Sequence, residues 1–336
     1  MRVLLTGALG FIGKNFLIHR PKNWQIFALD VKEDKNFQKN IQNTQFFKID
    51  LTDEAKVKQL ASKMPHFDVC LYLAANGDPA LSVSNPAWDL KATTLTLINT
   101  CRYFKIKKFV YLSSGAVYDG SIGQVTPKTS IDPTLPYAIS HLSAERYTRF
   151  FYKDEQYVVI RFFGAYGPYE PARKIYSNLV RAFDCHSDPA LAGEESADNL
   201  ANARSRTSRE ILRLTTQDDI EKKKEFVIRG NGRNLIDAMY IEDAIEGFVK
   251  VILSKKTNLT VDFCRGDHPT VNALVKSSAK IFGINVTIQH EGMVPEYNRF
   301  YASPKEFQKY FHFKPEISLE DGMKRLKEHL ETNYSN

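Results

Sequence analysis

The feature that most constrains this chain is a glycine-rich segment, TGALGFIG at residues 6–13, which directly follows an apolar run at residues 3–5. Gly7 permits a tight turn from a strand into a helix, and Gly10 lets the backbone approach a pyrophosphate. Gly13 lets the new helix pack closely on the strand. Since free N–H groups and the helix dipole favour anions at a helix N-terminus, the segment predicts a dinucleotide site that includes Phe11 and Ile12.

A carboxylate follows the second apolar segment at the spacing that this site requires. The segment WQIFAL at residues 24–29 ends in Asp30. A carboxylate at this distance from the glycines accepts both hydroxyls of the adenosine ribose and would repel a 2′-phosphate. We therefore expect NAD rather than NADP.

Short apolar runs alternate with segments of helical period through the first half of the chain. The predicted strands are 2–6, 25–30, 45–49, 68–74, 108–113 and 157–163, and the predicted helices include 53–63, 86–104 and 137–153. Such alternation is typical of an α/β fold with a doubly wound parallel sheet of Rossmann type. We predict that residues 1–163 form an NAD-binding domain. Residues 164–336 should form mostly a smaller α+β substrate-binding lobe, with some segments returning to the first domain.

Composition narrows the class of protein further. The 336 residues are 43% hydrophobic, and 46 basic against 39 acidic side chains give a net charge of +7. This surplus is too small and scattered to predict nucleic-acid binding. The four cysteines and eight histidines show no metal-ligand spacing, so we expect no metal. With neither a leader nor an apolar run of membrane-spanning length, the expectation is a cytoplasmic protein without a membrane partner.

One stretch differs from the rest of the chain. Residues 184–225 contain no aromatic residue, although aromatics make up 12% of the sequence. Because a polar, small and charged segment buries little apolar area, about 184–222 is expected to be a mobile insertion rather than a lid.

Further motifs follow the glycine segment in a fixed order. They are LAA at 73–75, LSSGAVY at 112–118, YAIS at 137–140 followed by LSAE at 142–145, RFFGAYGP at 161–168, GNG at 230–232, Asp237, and YIED at 240–243. Taken together they resemble the extended short-chain dehydrogenases/reductases, namely the NAD-dependent sugar-nucleotide epimerases and dehydratases, of the UDP-glucose 4-epimerase type.

The resemblance implies a reaction and a set of site residues. Enzymes of this family move a hydride from a sugar carbon to NAD while a tyrosine takes the hydroxyl proton, and epimerases return the hydride to the opposite face of the transient keto sugar. Tyr137 is the implied acid/base and Ser114 the implied hydrogen-bond partner of the sugar oxygen. The cofactor contacts implied beyond the glycine segment and Asp30 are Asp50, Leu51, Ala74, Ala75, Tyr137 and Phe163.

The sequence departs from the family at the residue four positions after Tyr137. The family has a lysine there, whose charge lowers the pKa of the tyrosine, and this chain has His141. Two roles are open for His141: a catalytic one, assisted by protonation in a favourable local field, and a purely structural one. Loss of the lysine also leaves open a dinucleotide-binding protein with impaired turnover.

Other departures concern the substrate. Gly164 replaces the family's substrate-contacting asparagine, and Ile236 replaces the arginine that precedes Asp237. Arg173 is either a contact for the substrate diphosphate or part of a solvated basic pair with Lys174. The family's dehydratases carry Asp-Glu after the serine, where this chain has Gly115 and Ala116, so epimerisation is favoured over dehydration. A net reduction or oxidation of a nucleotide sugar stays open. The family also implies a homodimer built on the helices at 86–104 and 137–153.

Overall fold

The computed structural model describes residues 1–153, 155–183, 223–292 and 298–334. Its centre is a parallel sheet of seven strands in the order β3-β2-β1-β4-β5-β7-β9. These strands are β1 Arg2–Thr6, β2 Gln25–Asp30, β3 Thr44–Lys48, β4 Phe67–Tyr72, β5 Ile106–Ser114, β7 Gln156–Phe162 and β9 Leu259–Phe263. The strand order reverses between β1 and β4, and this switch point is where doubly wound sheets bind ligands.

Helices cover both faces of this sheet. They are α1 Phe11–His19, α2 Lys35–Gln38, α3 Glu54–Ala61, α4 Pro79–Ser84, α5 Pro86–Leu90, α6 Thr96–Tyr103, α7 Pro136–Phe151, α8 Ile175–Phe183, α9 Ile241–Leu253, α10 Val271–Ile281, α11 Lys305–Phe311 and α12 Leu319–Tyr334. Alternate side chains of each strand enter opposite cores, as β1 shows, where Val3 and Leu5 lie in one apolar cluster and Leu4 lies in the other.

Two small sheets lie outside the central one. Strand β6 Ile122–Val125 pairs with β11 Arg299–Ala302, and β8 Lys223–Arg229 pairs with β10 Asn285–Glu291, both in parallel register. Strand β9 comes from the second half of the chain and joins the central sheet beside β7, in parallel register. The second half therefore contributes directly to the sheet that the first half builds.

The predicted doubly wound parallel sheet is confirmed, and the predicted strands agree with the observed ones to within a few residues. The predicted single helix over 86–104 is wrong in detail. A π-helical turn, Lys91–Leu95, separates α5 from α6. Within it, the hydroxyl of Thr93 accepts the amide of Asn76 at 3.2 Å, and that of Thr94 donates to the carbonyl of Ser140 at 2.9 Å. The predicted insertion at 184–222 lies outside the described residues.

Candidate active site

The glycine segment has the geometry that the sequence predicted. Gly7 has φ +65°, and an added Cβ there would lie 3.0 Å from backbone atoms of Leu73 and Ala74. At Gly13 an added Cβ would lie 2.3 Å from the carbonyl oxygen of Gly7. Helix α1 begins at Phe11, and its N-cap residue Gly10 has no side chain that could accept a hydrogen bond. The N–H groups of the first turn are therefore available to an anion.

Asp30 is held beside this turn. Its Oδ2 accepts the amide of Leu9 at 2.8 Å, and its Oδ1 accepts the amide of Lys32 at 2.9 Å. Thr6 ties the neighbouring strand ends together, because its hydroxyl accepts the amides of Leu73 and Ala74 at 3.1 Å each. The close-packed glycine cradle, the free helix end and the positioned carboxylate fit a dinucleotide, with the ribose on the Asp30 side.

The other predicted cofactor residues lie at the same edge of the sheet. Asp50 and Leu51 follow β3, Ala74 and Ala75 follow β4, and Phe163 follows β7. Because the sheet is parallel, all these strands end on one side. The topology thus gathers the predicted cofactor residues along the carboxyl ends of the strands.

Ser114 and Tyr137 come together at this edge. Ser114 ends β5, and its hydroxyl accepts the amide of Ala116 at 3.1 Å, which starts the 3₁₀ turn Gly115–Tyr118. After this turn, Asp119 accepts the amides of Thr134 and Leu135 at 3.0 Å each, just before α7 begins at Pro136. Asp119 therefore fixes the first turn of α7 relative to the end of β5, and Tyr137 interacts with Ser114 there.

The surroundings of Tyr137 do not favour its ionised form. Burial raises the pKa of Tyr137, a hydrogen-bonding interaction with Ser114 lowers it, and the charges of Asp89 and Asp78 raise it again. The net direction is upward. The protein groups around Tyr137 therefore hold it as a phenol, which is the form that donates a proton.

His141 is neutral. It is 3% exposed, and burial lowers its pKa to about 3. The catalytic role left open for His141 depended on its protonation, and the buried site offers no compensation for the lost hydration of an imidazolium. Its ring lies next to Tyr137, with centroids 4.5 Å apart.

Tyr111, which sequence reasoning missed, sets the hydrogen bonding of His141. Its hydroxyl lies 2.8 Å from Nδ1, while Nε2 is buried without a partner among the described residues. If Nδ1 carried the proton, both the Tyr111 hydroxyl proton and Nε2 would lack partners. We assign the tautomer in which Tyr111 donates to Nδ1 and His141 carries its proton on Nε2.

A buried network anchors α7 to the sheet. Arg161 of β7 donates two hydrogen bonds to Glu145 of α7, both at 2.9 Å, and a third to the hydroxyl of Tyr118. Ser113, the neighbour of Ser114, donates to Glu145 at 2.8 Å. Tyr118 in turn donates to Asp262 at 2.7 Å, and burial raises the pKa of Asp262 to about 7. The network links three strands to the helix that carries Tyr137.

On the substrate side the structure places Gly164 after β7 with φ +110° and open space where a side chain would stand. Arg173 is 52% exposed in its side chain and pairs with Asp78 at 3.3 Å. Its guanidinium therefore faces a carboxylate, and a contact between Arg173 and the substrate diphosphate stays a prediction. Asp78 and Asp89 were not singled out from the sequence. The sequence did contain a signal for Asp78, because an aspartate followed by Pro79 after a strand is typical of a helix start.

Among the described residues, no three His, Cys, Asp or Glu side chains are grouped so as to hold a metal ion. No helix in the described ranges combines the length and apolar character needed to cross a membrane.

Comparison with known proteins places the chain in a family. The family model described as "NAD dependent epimerase/dehydratase family" matches residues 3–261. A Bacillus subtilis protein named "Uncharacterized UDP-glucose epimerase YtcB" is 25% identical over 99% of this chain and 99% of its own length. The mouse dTDP-D-glucose 4,6-dehydratase is 23% identical over 100% of this chain and 90% of its own length.

A solved structure has the same fold. The UDP-glucuronic acid 4-epimerase of Bacillus cereus, in complex with UDP-glucuronic acid and NAD, superposes with a TM-score of 0.79. The match covers 99% of this chain and 100% of that one at 20% identity. With the family model matching more than half of the chain, and with the glycine cradle and Asp30 in place, the chain belongs to the NAD-dependent epimerase/dehydratase family.

Proposed function

We propose that this protein is an NAD-dependent epimerase of a nucleotide-diphosphate sugar. The observation that carries the proposal is the meeting of Ser114 and Tyr137 at the carboxyl edge of the sheet, on the side to which the glycine cradle and Asp30 also point. Epimerisation is favoured over dehydration because Gly115 and Ala116 provide no acid or base beside Ser114 for the elimination of water.

The roles of the chain's own groups follow from this arrangement. When bound, NAD supplies a hydride acceptor and a positively charged nicotinamide. Ser114 hydrogen-bonds the sugar oxygen and holds it against Tyr137, which takes the hydroxyl proton and later returns it. Gly7, Gly10 and Gly13, with the amides of the first turn of α1, hold the pyrophosphate, and Asp30 accepts the ribose hydroxyls.

Product analysis tests this proposal. The protein is incubated with NAD and a panel of UDP-, dTDP-, GDP- and CDP-sugars, and the sugars are separated by chromatography. We expect one sugar to convert to its epimer, and the Tyr137→Phe variant to bind NAD normally without converting it. Tightly held, non-exchanging NAD would further support an epimerase, because an epimerase regenerates NAD in every cycle.

The alternative is a dinucleotide-binding protein with impaired turnover. It is supported by the neutral His141 and by the two carboxylates that raise the pKa of Tyr137. Bound NAD without conversion of any sugar in the panel, combined with conversion by a His141→Lys variant, would favour this alternative.

A homodimer is also proposed, in which α5 and α7 meet their copies in a second chain. Trp88 and Leu90 of α5 and Ile139, Tyr147 and Phe150 of α7 are exposed although apolar, and Phe150 reaches 67%. Ile139, Tyr147 and Phe150 recur at helical spacing on one face of α7, as an interface requires. Light scattering should give twice the chain mass, and Phe150→Glu should give the monomer. Elution of the native protein as a monomer would refute the dimer.

We propose a cytoplasmic location. Cys70, Cys101 and Cys264 are all free thiols in the structure, as is usual where the compartment is reducing. Fractionation of cells that express the chain with a tag tests this location.

A further inference from the structure

Two carboxylates lie beside the turn of α7 that carries Tyr137. Asp78 caps α4, where its side chain accepts the amide of Ala80 at 3.0 Å. Asp89, in α5, accepts the hydroxyl of Ser140 at 2.5 Å and the amide group of Asn76 at 2.8 Å. Ser140 is three residues after Tyr137 on α7, so Asp89 is anchored one turn away from it. The same asparagine reaches Asp78, because its side-chain amide donates to the Asp78 carbonyl at 2.8 Å.

Two basic side chains lie near Asp78, namely Arg173 and Lys174, but the pKa of Tyr137 is still raised. Arg173 pairs with Asp78 at 3.3 Å and lies on the loop before α8, so the pair joins α4 to the second half of the chain. Lys174 follows Arg173 and lies within the field of Asp78 and of Glu170. The charges of Asp89 and Asp78 both raise the pKa of Tyr137.

The position of these charges bears on the sugar. In a hexose whose C4 hydroxyl meets Tyr137, the next ring carbon carries CH₂OH in glucose and galactose but a carboxylate in the uronic acids. A uronate would bring a third negative charge into the field of Asp78 and Asp89. It would also make removal of a proton from Tyr137 harder still, and His141 provides no cation to offset it.

We infer that the substrate is a nucleotide sugar without charge at C6, and that Asp78 is the residue that disfavours uronic acids. The inference rests on the proposed function and deepens it. Asp78 acts on this selectivity in two ways, because its own charge repels a carboxylate and because it occupies Arg173, which would otherwise attract one. A neutral hydroxyl at C6 meets no such penalty and can donate to a carboxylate oxygen.

Calorimetric titration of the NAD-loaded protein tests the inference without requiring turnover. UDP-glucose and UDP-glucuronate are compared, since they differ only at C6. Because like charges at a contact cost several kcal/mol, we expect UDP-glucose to bind at least about tenfold more tightly. In Asp78→Asn the ratio should fall by at least about threefold, since the repulsion is removed and Arg173 is released. Asparagine caps a helix as well as aspartate does, so α4 should remain folded.

Asp53→Asn is the matched control. Asp53 also caps a helix, accepts an amide at 3.1 Å and pairs with a lysine, Lys56, at 2.8 Å, but it caps α3 rather than a helix of the sugar end. The ratio should not change in this variant. Equal or tighter binding of UDP-glucuronate by the native protein would overturn the inference and leave the epimerase proposal intact. If neither is bound, the neutral sugar and the uronate of the nucleotide identified by the product panel are compared instead, and failure to bind any sugar of that panel would overturn both proposals. An unchanged ratio in Asp78→Asn would remove Asp78 from the inference.

Discussion

Replacement of His141 by lysine should restore the missing positive charge beside Tyr137. The two rings have centroids 4.5 Å apart, so the ammonium group of a lysine at this position would stand roughly 5 Å from the phenol. With an effective dielectric constant of about 20, Coulomb's law gives about 3 kcal/mol of stabilisation for the phenolate, which is about 2 pKa units.

The new lysine must remain charged in a buried site. Lys108 shows how this chain holds a buried lysine: burial lowers its pKa to about 8, and it donates to the carbonyl groups of Val251, Ile252 and Ser254. A lysine at 141 with a comparable pKa would be mostly protonated at pH 7, and Tyr111 offers it an acceptor. Allowing for partial desolvation, we expect a shift of 1 to 2 pH units, roughly a tenfold to hundredfold rise in activity at neutral pH.

The assay is the pH dependence of kcat for sugar epimerisation in the native protein, His141→Lys and His141→Met. Methionine resembles lysine in length but carries no charge, so it separates the electrostatic effect from a change in packing. The acidic limb of the profile should move to lower pH in His141→Lys alone. Identical profiles for the lysine and methionine variants would refute the reasoning, because the charge at position 141 would then not act on the ionisation of Tyr137.

Three further predictions concern the cofactor cradle and the buried network. Gly13→Ala places a Cβ 2.3 Å from the Gly7 carbonyl oxygen and should weaken NAD binding at least about tenfold in a fluorescence titration, whereas Gly77→Ala, whose Cβ meets nothing within 4 Å, should not. Glu145→Ala leaves Arg161 buried without its partner and should lower the free energy of unfolding by about 3–5 kcal/mol in urea; a loss below about 1 kcal/mol would contradict that. The pKa of Asp262 is about 7 in the folded protein and about 3.9 in the unfolded chain, so between these values the folded state binds the extra proton. The free energy of unfolding therefore falls as pH rises from about 4 to 7. Denaturation series at different pH should show that Asp262→Asn flattens this slope by up to about 1.4 kcal/mol per pH unit.

The sequence was sufficient for those parts of the fold that depend on local pattern. The glycine spacing has a direct steric cause, since Gly7 and Gly13 approach backbone atoms that no side chain would tolerate. The start of α12 also has a local cause, because the hydroxyl of Ser318 accepts the amide of Asp321 at 3.1 Å. The Gly13 and Ser318 contacts are made within a few residues of the chain, whereas Gly7 meets the segment after β4 at Leu73 and Ala74.

Features that depend on contacts distant in sequence could not be predicted. Nothing local to 86–104 signals the π-helical turn, which accompanies bonds from Thr93 to Asn76 and from Thr94 to Ser140. The protonation state of His141 depends on the burial that β5 and α7 create together. The pairing of Arg173 with Asp78 joins positions 95 residues apart, so the sequence near Arg173 could not reveal it.

The carboxylates that anchor the helices around Tyr137 also bear on its chemistry. Asp89 bonds to Ser140 and Asn76, and Asp78 caps α4, so both carboxylates also have structural roles in the helices next to α7. As a result, the protein holds Tyr137 against Ser114 in a negative field without a lysine. Under the proposed function, the positive charge that favours the phenolate must then come from the bound nicotinamide, so ionisation of Tyr137 should depend on cofactor occupancy. Titration of the tyrosine absorbance with and without NAD measures that dependence, and equal titration in both states would show that the phenolate is stabilised from elsewhere.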